Sequence, residues 1–303
     1  MVLDSEFLED FEMDANDHGE PHWFVDKRIE ALKKFEELSY PDSDKIDLNL
    51  LKIQELKWKR SDKALIPSIN DTENIEIVQV GQRIVVNTLP DELEEQGVII
   101  TDVFTAFRQH PRLIQKAFMD KVIKPDEDKL TAFHAAMINS GVFVYVPKEL
   151  RLNKQINLHV IQDNTLKIPL ITHLLIVAEN DSSVNIAEDI THTGENINIF
   201  NGFTEVLTRA NANVELKVTN NLSDKSILFL KDKSYLGRDS IINWQENLKN
   251  DGPTYASIEG NLFGSDSKLI TTLNLNNDDK EILTNIVKHG KNTVSEFSQN
   301  LNN

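Results

Sequence analysis

Between about residue 171 and residue 291 the chain repeats itself, and the length of the period leaves little choice of fold. Four segments share a turn of small or polar residues followed by an alternating strand. They are Asn180-Asp-Ser-Ser-Val-Asn-Ile, Ala210-Asn-Ala-Asn-Val-Glu-Leu, Gly237-Arg-Asp-Ser-Ile-Ile-Asn-Trp and Gly264-Ser-Asp-Ser-Lys-Leu-Ile. Taking Val184, Val214, Ile241 and Lys268 as equivalent gives steps of 30, 27 and 27 residues. A second apolar series lies between them, at 197–200, 227–230, 255–258 and 283–287. Two short strands per period, with no room for a helix, predict a coil of stacked rungs. Alternation within each strand turns one side chain in two toward a shared apolar core. A β-helix over 141–293 is the expected architecture, and a β-sandwich with long hairpins is the alternative.

The rest of the chain is organised differently. Residues 1–20 contain eight carboxylates and neither Lys nor Arg, so repulsion and scarce apolar surface predict a disordered arm. A helical and mixed region is expected over 21–140. Pro21 opens a helix whose face is Val25, Ile29, Leu32, Phe35 and Leu38, and Pro41 ends it. Leu51, Ile53, Leu56 and Trp58 are candidate docking side chains in a polar stretch. Residues 75–80 and 84–86 predict a hairpin about Gly81-Gln82, and residues 93–97 a short linker. Helices are expected over 111–122 and after Pro125, where Leu130, Phe133, His134 and Met137 form one stripe. Gly141 stops the second helix, and 142–146 should enter the coil. The closing residues 294–303 are polar and are expected to be irregular.

Charge and composition exclude several functions. The 303 residues carry 49 acidic and 32 basic side chains, a net charge of −17, which makes nucleic acid a poor partner. With no cysteine there is neither a disulfide nor a thiolate metal site. No apolar run approaches a membrane span, and no secretory signal opens the chain, so a cytoplasmic location is expected.

Candidate chemistry is thin. His173 and His192, 19 residues apart, could stack on neighbouring rungs and with Glu188 or Asp189 hold a metal, although turn or surface histidines are the simpler reading. His134 sits on an apolar stripe, as expected of a hydrogen-bonded core histidine. Glu205 could be buried and paired, with Arg209 as one partner, or face outward. The Asn-rich turns (Asn180, Asn211, Asn213, Asn220, Asn221, Asn243, Asn250) suit left-handed conformations and stacked amides. A β-helical carbohydrate-active enzyme needs clustered carboxylates, for which Asp181, Glu188 and Glu205 are candidates, and sugar platforms, for which Trp244 and Tyr255 in the coil are candidates.

Several segments resemble the SufB/SufD family of iron–sulfur cluster assembly scaffolds. They are Lys129-Leu-Thr-Ala-Phe-His-Ala-Ala, Gly141-Val-Phe-Val-Tyr-Val-Pro-Lys, Gly237-Arg-Asp-Ser, His289-Gly-Lys-Asn and the Asn201-Gly-Phe-Thr-Glu-Val segment, similar to the family's NGxTE. The spacing of Trp23, Arg28, Ala31, Phe35, Leu38 and Pro41 is similar to the family's N-terminal helix, and Trp244 matches within its strand. The resemblance, over roughly 20–293, is nearer to SufD than to SufB, and the lack of cysteine agrees. It implies a right-handed parallel β-helix behind a helical region, and a non-enzymatic scaffold that pairs with a SufB-like subunit and works with a SufC-like ATPase. No cofactor is expected on this chain alone, and an iron–sulfur cluster only in the assembled complex. The family-motif residues are Asn201, Gly202, Thr204 and Glu205. The expected partner contact is the last strand and its open edge: Leu283, Thr284, Asn285, Ile286, Val287, Lys288 and His289. The family's C-terminal helical domain, which carries its SufC-docking surface, has no counterpart in these residues, so a shortened chain that self-associates when alone is expected.

Overall fold

The structure is a computed structural model that describes residues 5–48, 73–277 and 280–301. The docking candidates Leu51, Ile53, Leu56 and Trp58 lie outside the described residues. In chain order the elements are α1 (Ser5–Asp17), α2 (His22–Glu37), β1 (Ile75–Val80), β2 (Arg83–Asn87), α3 (Asp91–Glu95), β3 (Ile99–Asp102), α4 (Val103–Gln109), α5 (Pro111–Ile114) and α6 (Lys129–Met137). Strands β4 (Ser140–Val146), β5 (Ile156–Asp163), β6 (Leu170–Ala178), β7 (Ser183–Thr193), β8 (Asn198–Thr208) and β9 (Asn213–Asn220) follow. The last are β10 (Ser226–Tyr235), β11 (Ile241–Leu248), β12 (Thr254–Leu262), β13 (Lys268–Leu275), β14 (Glu281–His289) and β15 (Val294–Leu301).

The strands wind into a parallel β-helix of about six turns. Each turn gives one strand to each of two sheets. Sheet A has the order β15-β13-β11-β9-β7-β5-β1-β2, and sheet B the order β14-β12-β10-β8-β6-β4-β3. The coil therefore takes in more than 141–293. At its first end β1 pairs in parallel with β5, and β3 pairs antiparallel with β4. At the other end β15 extends sheet A beside β13, so the tail expected to be irregular is a strand.

Inward side chains from both sheets form the lumen core. Val184, Val214, Ile242 and Leu269 occupy one rung position and are at most 3% exposed. The equivalence expected from sequence is one residue out at Ile241 and Lys268. A slip of one turns a strand's side chains over, and Ile241 is indeed exposed.

The corners explain the repeated turn. Glu149, Asp181, Asn211, Asp239, Asp266 and Asn292 all have φ between 56° and 62°. Asp and Asn tolerate this left-handed conformation better than other non-glycine residues. It aims each backbone N–H along the coil: Asp181 N–H donates to Ala210 O, Asn211 to Arg238, Asp239 to Ser265 and Asp266 to Lys291, at 2.8–3.0 Å. Gly264 is required because a Cβ there would run into the backbone of Gly237 and Arg238. Of the seven asparagines expected from sequence to suit that form, Asn211 takes it. The stacked amides fall elsewhere: Asn300 Nδ2 donates to Asn274 Oδ1 at 2.9 Å, and Asn274 Nδ2 to Asn247 Oδ1 at 2.8 Å.

The N-terminal helices cover the outer face of sheet B. Phe24, Leu32, Phe107, Phe118 and Phe133 pack there against Phe143, Leu175, Phe203 and Phe229. Segment 1–20 is a correction, since helix α1 lies within it and docks. Phe11 and Ala15, four residues apart, are each 1% exposed, and Phe11, like Phe7, belongs to the helical core. Arg28 Nη1 donates to both Glu20 carboxylate oxygens at 2.6 and 2.8 Å, Nε donates to Ala136 O, and the guanidinium lies over Phe11. This buried fork fixes α1, α2 and α6 together. Helix α6 starts on a capping box of Asp128 and Thr131. The helix expected over 111–122 is shorter, ending at Ile114, and the residues after it form turns.

Candidate functional site

The segment 201–205 lies mid-sheet in β8, and alternation divides it between two environments. Asn201, Phe203 and Glu205 point outward beneath the helices, whereas Gly202 and Thr204 point into the lumen. All five are at most about 8% exposed in the structure, with Asn201 and Glu205 at 0%.

On the outward side a buried polar chain crosses from coil to helices. His134 of α6 stacks on Phe203, ring centres 3.8 Å apart and planes within 4°. Its Nδ1 is 2.5 Å from Asn201 Oδ1, and its Nε2 is 3.0 Å from Nδ1 of His173 on β6. His173 Nε2 lies 3.1 Å from Glu205 Oε1. This last contact is within reach but lacks hydrogen-bond alignment, and Asn201 Nδ2 is also without a partner among the described residues. Glu205 accepts from two backbone N–H groups, Met119 to Oε1 at 2.6 Å and Ile123 to Oε2 at 2.9 Å. Lys27 of α2 grips the same turn, donating to Phe118 O and Met119 O at 2.8 and 2.7 Å.

Burial dominates the titration of this chain. It pushes the Glu205 carboxyl up to about 8, against the opposing effects of the two N–H donors and Lys27. It pushes His173 down to about 3, helped by the charge of Lys27, and drives His134 well below the ordinary histidine range. Both imidazoles are therefore neutral near pH 7, and the carboxyl carries a proton.

On the lumen side, Gly202 leaves room for the Phe200 ring, whose Cε1 would be 2.6 Å from an added Cβ. Thr204 bonds to Asp232, which with Glu188 and Glu246 lines a cavity of about 20 Å³. Burial raises all three carboxyls, Glu188 to about 8, Asp232 to about 7, and Glu246 well upward with help from the other two.

Other candidates fare as follows. His173 and His192 do not meet, since they lie in different sheets, and His192 contacts Gly194 O. Among the described residues, no group of three or more His, Asp or Glu side chains is placed to hold a metal. Arg209 is exposed and does not partner Glu205. Asp181 is at a corner, Glu188 in the lumen and Glu205 under the helices, so these three carboxylates share no face. Trp244 and Tyr255, 3% and 4% exposed, are packed in the lumen and under the helices and offer no sugar platform.

Two sequence profiles match in succession. The SufBD protein N-terminal region matches residues 46–158, and the SufBD core domain of the SUF system for FeS cluster assembly matches residues 160–300. The chain belongs to the SufBD family. It is 33% identical over 279 residues to the iron-sulfur cluster assembly protein SufD of Bacillus subtilis, covering 87% of this chain and 63% of that protein. It is 28% identical over 232 residues to a SufBD family protein of Pyrococcus horikoshii, covering 68% of this chain and 51% of that protein. A Staphylococcus epidermidis family protein is 24% identical over 246 residues, 74% of this chain and 52% of its own length. The chain thus spans between half and two thirds of these relatives. Among the described residues, no helix is long and apolar enough to cross a membrane.

Within this SufBD fold the expected contact residues fall on β14, the end strand of sheet B. There, among the described residues, β14 has β12 as its one neighbour, and the register slips near Gly260. Sheet A ends beside it in β15, which the sequence reading missed. Leu283, Val294, Phe297 and Leu301 are each at least 40% exposed along these two ends.

Proposed function

We propose that this SufBD chain is a non-enzymatic scaffold subunit for iron–sulfur cluster assembly, and that it pairs with a SufB-type subunit through the end strands β14 and β15. The single observation that carries the reading is the pair of adjacent sheet edges that β14 and β15 form among the described residues, bearing exposed apolar side chains. Backbone groups on such edges are completed by strand addition, and the apolar side chains lose water in the contact. Leu283, Thr284, Lys288 and His289 would face the partner on one sheet, with Val294, Phe297 and Leu301 on the other. A SufC-type ATPase acts on the assembled pair, and the cluster is cargo of that assembly.

Co-expression with a SufB-type subunit tests this. The unaltered chain is expected to co-purify with it. The double variant Leu283→Asp, Phe297→Asp is expected to fold, because both positions are solvent-facing, and to bind at least about tenfold more weakly. Failure of the unaltered chain to bind rejects the function. Equal binding by the double variant rejects the edges as the contact.

A further inference from the structure

We infer that Asn201, His134, His173 and Glu205 form a proton-switched hydrogen-bond chain between the coil and the helices, whose direction reverses when the set loses one proton. Two observations support it. The four groups lie in line across three elements, at 2.5, 3.0 and 3.1 Å, and all are 0% exposed. Among the described residues both ends are incomplete, with Asn201 Nδ2 and His173 Nε2 lacking aligned partners. A neutral imidazole carries one N–H and one lone pair, so two linked imidazoles must both point the same way.

In the first state Asn201 Oδ1 accepts from His134 Nδ1–H, and His134 Nε2 accepts from His173 Nδ1–H. His173 Nε2 is then a bare acceptor facing the protonated carboxyl of Glu205. In the second state one proton has left the set to hydroxide. The His134 Nδ1 proton is the one lost, the proton between the rings passes to His134 Nε2, and the carboxyl proton passes to His173 Nε2. Glu205 is left as a carboxylate with three donors: Met119 N–H, Ile123 N–H and His173 Nε2–H. Asn201 turns its amide so that Nδ2, now idle, donates to His134 Nδ1. His173 Nε2 and Asn201 Nδ2 thereby gain partners while Asn201 Oδ1 gives up its own, and neither ring becomes a cation.

The surrounding charges allow both states. From α2, Lys27 faces Glu205 and favours the carboxylate, while Asp120 in turn attracts Lys27. From β10, Lys233 lies in register with Glu205, but its ammonium is held by Glu127 at 2.6 Å and Glu259 at 2.9 Å. Glu127, before α6, favours the protonated carboxyl. What changes is the grip of the coil on the turn 119–123, which the carboxylate holds more firmly.

The test is the ¹⁵N spectrum of the two imidazoles, assigned through their ring-to-backbone correlations, in the full chain from about pH 6 to about pH 9.5. Both rings are expected to stay neutral while their proton moves from Nδ1 to Nε2, with one shared midpoint near the Glu205 value of about 8. Glu205→Gln is expected to abolish the transition; should that variant not fold, the unaltered chain decides alone. A single tautomer throughout, an imidazolium at any point, or a transition that survives in Glu205→Gln overturns the inference.

Discussion

The two sheets of the coil share a period and a lumen yet have opposite outer faces. In β8 every residue is buried, whereas in β7 burial alternates with exposure. The outward residues of β8 include Asn201, Phe203 and Glu205, which meet the helices. Those of β7 and β9 include Asn185, Glu215 and Lys217, which meet water. Burial at every position is thus the mark of a strand with two covered faces, and alternating burial of one with a single covered face. The coil is generated by the inward residues alone. The outward ones decide which sheet becomes a platform for the rest of the protein.

Matched substitutions test that contrast. Phe203→Lys places an ammonium under the helices against His134 and is expected to destabilise by more than about 4 kcal/mol, preventing folding or detaching the helices in a thermal melt. Phe200→Ala empties part of the lumen and is expected to cost about 3–5 kcal/mol in denaturant unfolding. Next in size is a pH effect from the lumen. The folded-state values of Glu188, Asp232 and Glu246 are raised, so the folded chain holds protons that the unfolded chain releases. Their contribution is full below the unfolded carboxyl range and is lost as pH rises through about 7 to 8. The Tm is expected to fall by on the order of 5 °C over that rise, and Glu188→Gln to flatten the slope. A Tm that rises with pH would contradict the burial of these acids. The smallest effect belongs to Asn185→Lys on sheet A, expected within about 0.5 kcal/mol of the unaltered chain.

The lumen was legible in sequence because its apolar residues recur at a step the eye can follow, from Val184 to Val214. It failed by one residue at Ile241, where two adjacent isoleucines leave the inward position undecided, and at Lys268, aligned by its turn instead of by its face. Helix α1 was hidden by its acids, although Phe7, Phe11 and Ala15 at four-residue spacing carried the signal. Strand β15 was hidden by polar composition, since its outer face meets water and its apolar residues, Val294, Phe297 and Leu301, are few. Extending the coil's step from Lys268 by 26 residues would have found it at Val294. The buried chain of His134, His173, Asn201 and Glu205 was not legible as a unit, because its members come from three elements brought together only by packing. The family motif pointed to Asn201 and Glu205, and alternation put both on one face. Nothing in the sequence pointed from there to His134 or His173.

In the proposed function the platform sheet and the end strands have different jobs, one holding the helices and the other the partner. Hydrogen exchange of the chain with and without a SufB-type subunit tests it most directly. Slowed exchange is predicted in β14 and β15, with β7 and the helices over β8 unchanged. Protection over the helices, with β14 and β15 exchanging as before, would contradict it.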